Sequence, residues 1–293
     1  TRYIGDWSSD VCSSDLERGT ELFVEATAHI MISELGGVAM HSGLQTRGVT
    51  GFRGRIAPEQ LPPPVHPSDA HHRPRASILA IENTHNSSGG AVWPMADLHA
   101  VAEAARELGM RLHFDGARIA NAAIALGLPA AEVCRGFDTV TLCLSKGLGA
   151  PLGAVIAGSE ELMRKARVEK HRFGGAMRQA GVIAAAGVYA LEHNVGRLAD
   201  DHARAKRLAE GLAAAGVAVD VARTETNFVQ VDVGAMGIAT GDALQRLRDA
   251  GVGLTSTVNQ GVLRAVTHLD ITDDDISGAI AAIPAALGAT RGV

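Results

Sequence analysis

Short apolar runs alternate with longer amphipathic segments along most of the chain, from about residue 17 onwards. The apolar runs have the length of β-strands, and the segments between them repeat apolar residues with the period of an α-helix. Strands that alternate with helices are typical of β/α crossovers, in which the strands pair in parallel. The pattern therefore predicts an α/β fold with a mainly parallel sheet flanked by helices.

The first half of the chain is predicted to hold most of this sheet. The strands are expected at Glu21–Glu25, Ala76–Ile81, Arg111–Phe114, Thr139–Leu144 and Ala154–Ala157. The helices are expected at Met95–Leu108 and Ala117–Leu126, with Ala and Leu facing the sheet. The segment Leu61–Pro74 is rich in Pro and His, and its proline spacing favours a solvated surface loop over a metal site.

The second half is predicted to form a smaller α/β domain behind one long helical passage, Met177–Ala215. Its strands are expected at Val217–Val221, Phe228–Val233 and Leu263–Thr267, and its helices at Gly241–Ala250 and from Asp273 onwards. We place the domain boundary near His193. The large domain then covers 17–192 and the small C-terminal domain 193–293.

Residues 1–16 differ in character from the rest of the chain. They contain the near-duplication SSDV and SSDL, show no helical or strand period, and lack the basic and apolar regions of a signal peptide. We interpret 1–16 as an atypical N-terminal tail, either an artefactual replacement of natural sequence or an ordinary polar tail.

Composition narrows the classes of function. The chain has 27 Lys and Arg against 32 Asp and Glu, a formal charge of −5, which disfavours nucleic-acid binding. The longest uncharged apolar stretch, 180–191, is shorter than the ~20 residues that a membrane helix needs. The three cysteines are widely spaced, which indicates neither a disulfide framework nor a metal site. We therefore expect a cytoplasmic protein that acts on a small molecule.

Candidate chemistry lies at the ends of two predicted strands. Asp115 ends one strand, at the sheet edge where open α/β folds bind ligands, and Lys146 follows another strand in a Gly-rich turn. Either residue alone has an ordinary explanation, since the aspartate could cap the following helix and the lysine could be an exposed turn residue. Together they could bracket a pyridoxal phosphate ring, with Asp115 on the ring nitrogen and Lys146 in a Schiff base.

Five motifs in this chain resemble, in the same order, those of the low-specificity L-threonine aldolases. They are Glu82–Asn86, His113–Ala122, Cys143–Pro151, Gly174–Gly181 and Arg264–Asp270. The resemblance spans about residues 17–285 and implies a fold-type I architecture that binds pyridoxal phosphate. It also implies retro-aldol cleavage of a β-hydroxy-α-amino acid, such as L-threonine or L-allo-threonine, to glycine and an aldehyde.

The same resemblance implies roles for two histidines. His29 is similar to the histidine that stacks on the cofactor ring, and His85 to the one beside the substrate's β-hydroxyl, where imidazole is suited to proton transfer. Without the resemblance, His29 would be interpreted as a satisfied structural residue and His85 as a turn residue.

Four further residues are assigned in the same way. Arg118 and Arg264 resemble the arginines that clamp the amino-acid carboxylate, a task suited to the bidentate guanidinium, although either could be a surface ion-pair partner. Ser145 resembles a phosphate ligand, and Arg178 a residue on the phosphate side of the pocket.

Two departures from the family leave alternatives open. His171 stands where the family has a lysine near the mouth of the site, and the resemblance begins only near Arg18, without the family's N-terminal phosphate cradle. We therefore expect weak cofactor binding. The alternatives are another fold-type I reaction, such as transamination or β-elimination, and a non-catalytic truncated fragment. The family further implies a homodimer or homotetramer.

Overall fold

The larger sheet is mainly parallel in the computed structural model, which describes residues 16–63 and 71–289. Its strands are β1 (Glu21–Glu25), β2 (Gln45–Val49), β3 (Ala76–Glu82), β4 (Arg111–Asp115), β5 (Thr139–Cys143) and β6 (Ala154–Gly158). They are ordered β2-β1-β3-β4-β5-β6. The strands β1 to β5 pair in parallel, and β6 is antiparallel to β5. The predicted α/β fold class is thereby confirmed.

Helices cover the sheet and join its strands. In the described residues they are α1 (His29–Ile32), α2 (Met95–Glu107), α3 (Ile119–Leu126), α4 (Ala130–Val133), α5 (Glu160–Arg172), α6 (Gly181–His193), α7 (Leu198–Ala214), α8 (Thr240–Asp249) and α9 (Asp273–Leu287). Between β3 and β4, α2 buries Leu98, Val101 and Ala105, which recur at helical spacing on one face. This amphipathic pattern is why α2 packs on the sheet.

The main core lies around β3, β4 and α2. Leu79 and Ile81 of β3 and Leu112 and Phe114 of β4 are almost fully buried in one cluster with Leu98 of α2. Central strands of a parallel sheet are covered on both faces, so their sequences are apolar almost throughout. The polar residues at the ends of these strands are therefore exceptions to the pattern.

A second, antiparallel sheet forms the C-terminal part. It contains β7 (Phe228–Asp232), β8 (Thr255–Ser256) and β9 (Val262–Val266) in the order β7-β9-β8. The predicted strand at Val217–Val221 is wrong, because Asp220 caps a short 3-10 turn at Val221–Arg223 by accepting from the Ala222 amide.

The predicted long helix at Met177–Ala215 is also wrong, since it is two helices, α6 and α7, with a break at 194–197. At the break, the Asn194 side chain donates a hydrogen bond to the Leu148 carbonyl at 2.7 Å. Although α6 ends at His193, the division of the chain into domains at that residue stays a prediction.

Two of the sequence predictions fall partly on residues outside the described ranges. The tail at 1–16 is one, apart from Leu16, and the loop Leu61–Pro74 is the other, because 64–70 are not described. The described ends of that loop form neither helix nor strand. No helix within 16–63 and 71–289 combines the length and the apolar character needed to cross a membrane.

Candidate active site

Three polar residues lie side by side on neighbouring strands, two of them at the carboxyl end of their strand. Glu82 of β3 is in register with Asp115 of β4, which is in register with Thr141 of β5. Asp115 is 2% exposed, and its Oδ1 accepts hydrogen bonds from the Ala117 amide at 3.2 Å and the Thr141 hydroxyl at 3.5 Å. The next helix starts only at Ile119, so Asp115 does not cap it. A buried carboxylate therefore faces the ligand-binding edge of the sheet.

Lys146 lies close to this edge, in the turn that follows β5, and is half-buried. Three features hold the turn. Asn194 donates to the Leu148 carbonyl, Arg197 donates to the Gly147 carbonyl at 3.5 Å, and Leu148 is buried. Gly149 has a φ of +74°, and a Cβ there would lie 2.4 Å from a Leu269 methyl carbon, so the turn requires glycine.

His85 is fully buried between two carboxylates. Its Nε2 lies 3.2 Å from Oε2 of Glu25 and 3.8 Å from Oε2 of Glu82. Burial by itself would lower the pKa of His85, but hydrogen bonding with Glu25 and the negative charges of Glu82, Glu25 and Asp115 outweigh it and raise the pKa. Burial conversely would raise the pKa of Glu25, but hydrogen bonds from His85 and Thr27 lower it to about 2.

Glu82 also connects the two predicted histidines. Its Oε2 accepts from the backbone amide of His29 at 2.7 Å, and its Oε1 accepts from the amide of Asn86 at 2.8 Å. The His29 side chain is 33% exposed, with Nδ1 3.5 Å from Oε1 of Glu34. One carboxylate therefore fixes the start of α1 relative to the loop after β3, and the His29 ring stays partly open to a ligand.

Arg118 directly precedes α3, Arg264 lies on β9, and both guanidinium groups lie close to the ring of Phe228. Their guanidinium carbons lie 4.7 and 4.9 Å from the ring centroid. Burial lowers the pKa of both arginines, and the positive charge of Arg264 acts on Arg118 in the same direction. Arg264 also donates to Oδ1 of Asn86 at 2.6 Å. Two half-buried cations beside one aromatic ring are suited to binding an anion.

The structure places the other predicted residues at the surface. Ser145 is exposed in the lysine turn, and Arg178 is exposed in the segment between α5 and α6. His171 is exposed in the last turn of α5. Their assignments, like the roles of the buried residues, stay predictions. Among the described residues, no group of three potential metal ligands is found.

Sequence reasoning missed Glu25 and Phe228, and it gave no individual role to Glu82 and Asn86 although both lie in a quoted family motif. Glu25 and Glu82 each end a buried apolar strand, as Asp115 does, and this pattern could have identified them. Phe228 begins a strand of the small sheet, and nothing in its sequence context relates it to Arg118, which is 110 residues away.

Comparisons with known proteins identify the family of this chain. The beta-eliminating lyase family model matches residues 10–235. The chain is 39% identical over 264 residues to the probable low-specificity L-threonine aldolase 2 of Arabidopsis thaliana, covering 89% of this chain and 74% of that protein. It is 37% identical over 265 residues to the low specificity L-threonine aldolase of Escherichia coli strain K12, covering 90% and 76%.

A solved structure extends the comparison to the fold. The threonine aldolase of Leishmania major has a TM-score of 0.76 to this chain at 18% sequence identity, covering 95% of this chain and 81% of that one. At this identity the likeness concerns the fold alone. It confirms the predicted fold-type I architecture.

Proposed function

Because the chain belongs to the beta-eliminating lyase family, and within it to the low-specificity L-threonine aldolases, we propose that it is a pyridoxal-phosphate-dependent carbon-carbon lyase. The proposed reaction cleaves a β-hydroxy-α-amino acid, L-threonine or L-allo-threonine, to glycine and an aldehyde. The observation that carries the proposal is the buried Asp115 at the sheet edge, on the strand next to the one that leads into Lys146.

The residues at this edge fit pyridoxal phosphate. A buried carboxylate such as Asp115 suits the protonated ring nitrogen, the Lys146 amine suits covalent attachment, and the partly open ring of His29 suits stacking. Ser145 and Arg178 are proposed on the phosphate side. When bound, the cofactor supplies a sink for the electrons of the broken Cα–Cβ bond.

We assign the substrate's carboxylate to Arg118 and Arg264. Both guanidinium groups are close to the Phe228 ring, and Nε of Arg264 is buried without a hydrogen-bond partner among the described residues. A carboxylate would offset one of the two positive charges and supply the missing acceptor. Clamping the carboxylate orients the amino acid, so that the Cα–Cβ bond is held in one direction relative to the edge of the sheet.

Cleavage also requires removal of the β-hydroxyl proton, which we assign to His85. The His85 ring is fully buried, and a Cβ on Gly54 would lie only 2.2 Å from its Cγ, so the loop at Gly54 covers it directly. We therefore place an ordered water between the ring and the hydroxyl, which a buried imidazole can polarise.

The proposal is tested by two measurements on the same sample. Titration with pyridoxal phosphate should produce a visible absorbance band, and adding L-threonine should release acetaldehyde, followed with a coupled dehydrogenase. A band with release of a keto acid instead of acetaldehyde would assign the chain to transamination or β-elimination. Neither a band nor acetaldehyde would support the non-catalytic alternative.

We further propose a homodimer or homotetramer located in the cytoplasm. The apolar helix α6 supports assembly, because Val182, Val188 and Tyr189 are 75%, 54% and 60% exposed in the single chain. Light scattering coupled to size exclusion measures the oligomer directly, and a monomer at micromolar concentration would contradict it.

A further inference from the structure

We propose that Glu25 is a positioning residue that sets both the charge state and the tautomer of His85, which leaves Nδ1 as the nitrogen that exchanges protons with the site. The part of this inference that concerns catalysis rests on the proposed function. The part that concerns the imidazole does not.

Neighbouring hydrogen-bond donors hold the Glu25 carboxylate in place. It ends β1 and is 6% exposed. Its Oε2 accepts hydrogen bonds from the amide and the hydroxyl of Thr27, both at 2.7 Å, and its Oε1 accepts from the amide of Gly51 at 3.3 Å. These donors hold the carboxylate whether or not His85 is charged, so the 3.2 Å ion pair with Nε2 is preorganised.

Three negative charges act on His85. Glu25, Glu82 of β3 and Asp115 of β4 each favour the protonated ring. The loop that covers the ring carries two arginines that are paired elsewhere, Arg53 with Glu225 and Arg55 with Asp97. The imidazole is therefore held towards its charged form, and a water or a substrate has to compete with Glu25 for its proton.

Of the two carboxylates near Nε2, Glu25 is the closer, at 3.2 Å against 3.8 Å for Glu82. The oxygens of Glu82 also accept hydrogen bonds from the amides of His29 and Asn86. A carboxylate at Nε2 keeps the proton there when the ring is neutral. Nδ1 is then the basic nitrogen. Both ring nitrogens are buried and neither has a hydrogen bond of ideal geometry among the described residues, but Nε2 has the Glu25 carboxylate 3.2 Å away. An unpaired buried acceptor of this kind indicates a missing water or ligand group.

The imidazole can be observed directly in the full chain without cofactor. We suggest recording long-range ¹H–¹⁵N spectra of the histidines against pH, with the His85 signals identified from a His85→Gln variant. In the wild type, the His85 pKa should lie above its ordinary value, and the neutral ring should carry its proton on Nε2.

Two matched variants distinguish the effect of Glu25 on His85 from the effect of Glu82. Glu25→Gln keeps an oxygen for the Thr27 donors but removes the charge, so the His85 pKa should fall. Glu82→Gln should lower it less, and Glu132→Gln, an exposed residue paired with Arg135, should leave it unchanged. A wild-type neutral ring protonated on Nδ1, or an equal fall in Glu25→Gln and Glu82→Gln, would overturn the proposal. The wild-type spectrum tests the tautomer even if Glu25→Gln does not fold.

The pH profile of threonine cleavage supplies the catalytic test. A base must be neutral to accept a proton, so a raised pKa moves the acidic limb of the profile to higher pH. Glu25→Gln should move that limb to lower pH and reduce the plateau rate by about tenfold or more. An unchanged profile would exclude a role for Glu25 in the reaction. If the wild type forms no glycine, the proposed function fails, and the spectra still decide the state of His85.

Discussion

Replacing Asp115 by asparagine separates a role in chemistry from a role in folding. The carboxylate Oδ1 accepts from the Ala117 amide and the Thr141 hydroxyl, and an asparagine Oδ1 can accept the same two bonds. The side chain is 2% exposed, so the amide enters a site of the same shape. We therefore expect the free energy of unfolding to change by no more than about 1 kcal/mol.

The effect on the cofactor should be much larger. An amide cannot hold a proton on the ring nitrogen, so one charge-assisted hydrogen bond is lost, about 1.5–3 kcal/mol. This corresponds to roughly 10–100-fold weaker binding of pyridoxal phosphate. Because the lost charge also stabilises the electrons released in the transition state, kcat should fall by about 10²–10³-fold.

Asp138→Asn is the matched control. It makes the same change in the same sheet, but at the amino-terminal end of the strands, directly before β5. Asp138 accepts from the Leu112 amide at 2.7 Å and pairs with Arg106 at 2.9 Å. It should lose some stability and keep its cofactor affinity and kcat. Absorbance titration, glycine formation and urea unfolding measure the three quantities. If Asp115→Asn lost stability but kept its activity per folded molecule, Asp115 would have only a structural role.

Other changes have distinct expected results. Lys146→Ala should lose the visible band and all cleavage while Lys170→Ala keeps both, and a band that survives in Lys146→Ala would move the attachment site. Arg264→Lys should raise KM for threonine roughly tenfold or more, because an ammonium group cannot make the bidentate contact; an unchanged KM would remove Arg264 from the carboxylate site. The low pKa of Glu25 contributes stability on the order of 3 kcal/mol above pH 4.5, which is lost as pH falls towards about 2. Conversely, the contribution of the raised His85 pKa is complete below 6.5 and is lost as pH rises through the folded pKa. Urea unfolding should therefore show a smaller loss between pH 6 and pH 3 in Glu25→Gln than in the wild type, and equal losses would contradict the Glu25 assignment.

The strands of the large sheet were accessible from sequence because burial on both faces leaves an unbroken apolar run. The predicted strand Glu21–Glu25 matches β1, and the predictions for β3 to β6 differ from the structure by one residue at their C-terminal ends. The strand β2 was missed, since Gln45–Val49 is a polar edge strand without apolar alternation. The break between α6 and α7 was missed because it depends on a hydrogen bond from Asn194 to a residue 46 positions earlier.

In the candidate site too, local sequence predicts some features, and others depend on contacts between residues far apart in sequence. Asp115 and Lys146 could be placed near the sheet edge because each follows or ends an apolar strand, and the other predicted site residues came from the family resemblance. The pairing of His85 with Glu25 could not be predicted, because it joins the end of β1 to the loop after β3, and the two residues are 60 positions apart in sequence. The meeting of Arg118 and Arg264 over Phe228 likewise depends on how the two sheets pack.

The most direct test of the proposed reaction is ¹³C NMR of uniformly labelled L-threonine incubated with the chain and pyridoxal phosphate. Cleavage of the Cα–Cβ bond predicts labelled glycine and labelled acetaldehyde in equal amounts, and neither product with the Lys146→Ala variant. Labelled 2-oxobutyrate, in which the bond between Cα and Cβ is intact, would contradict the account.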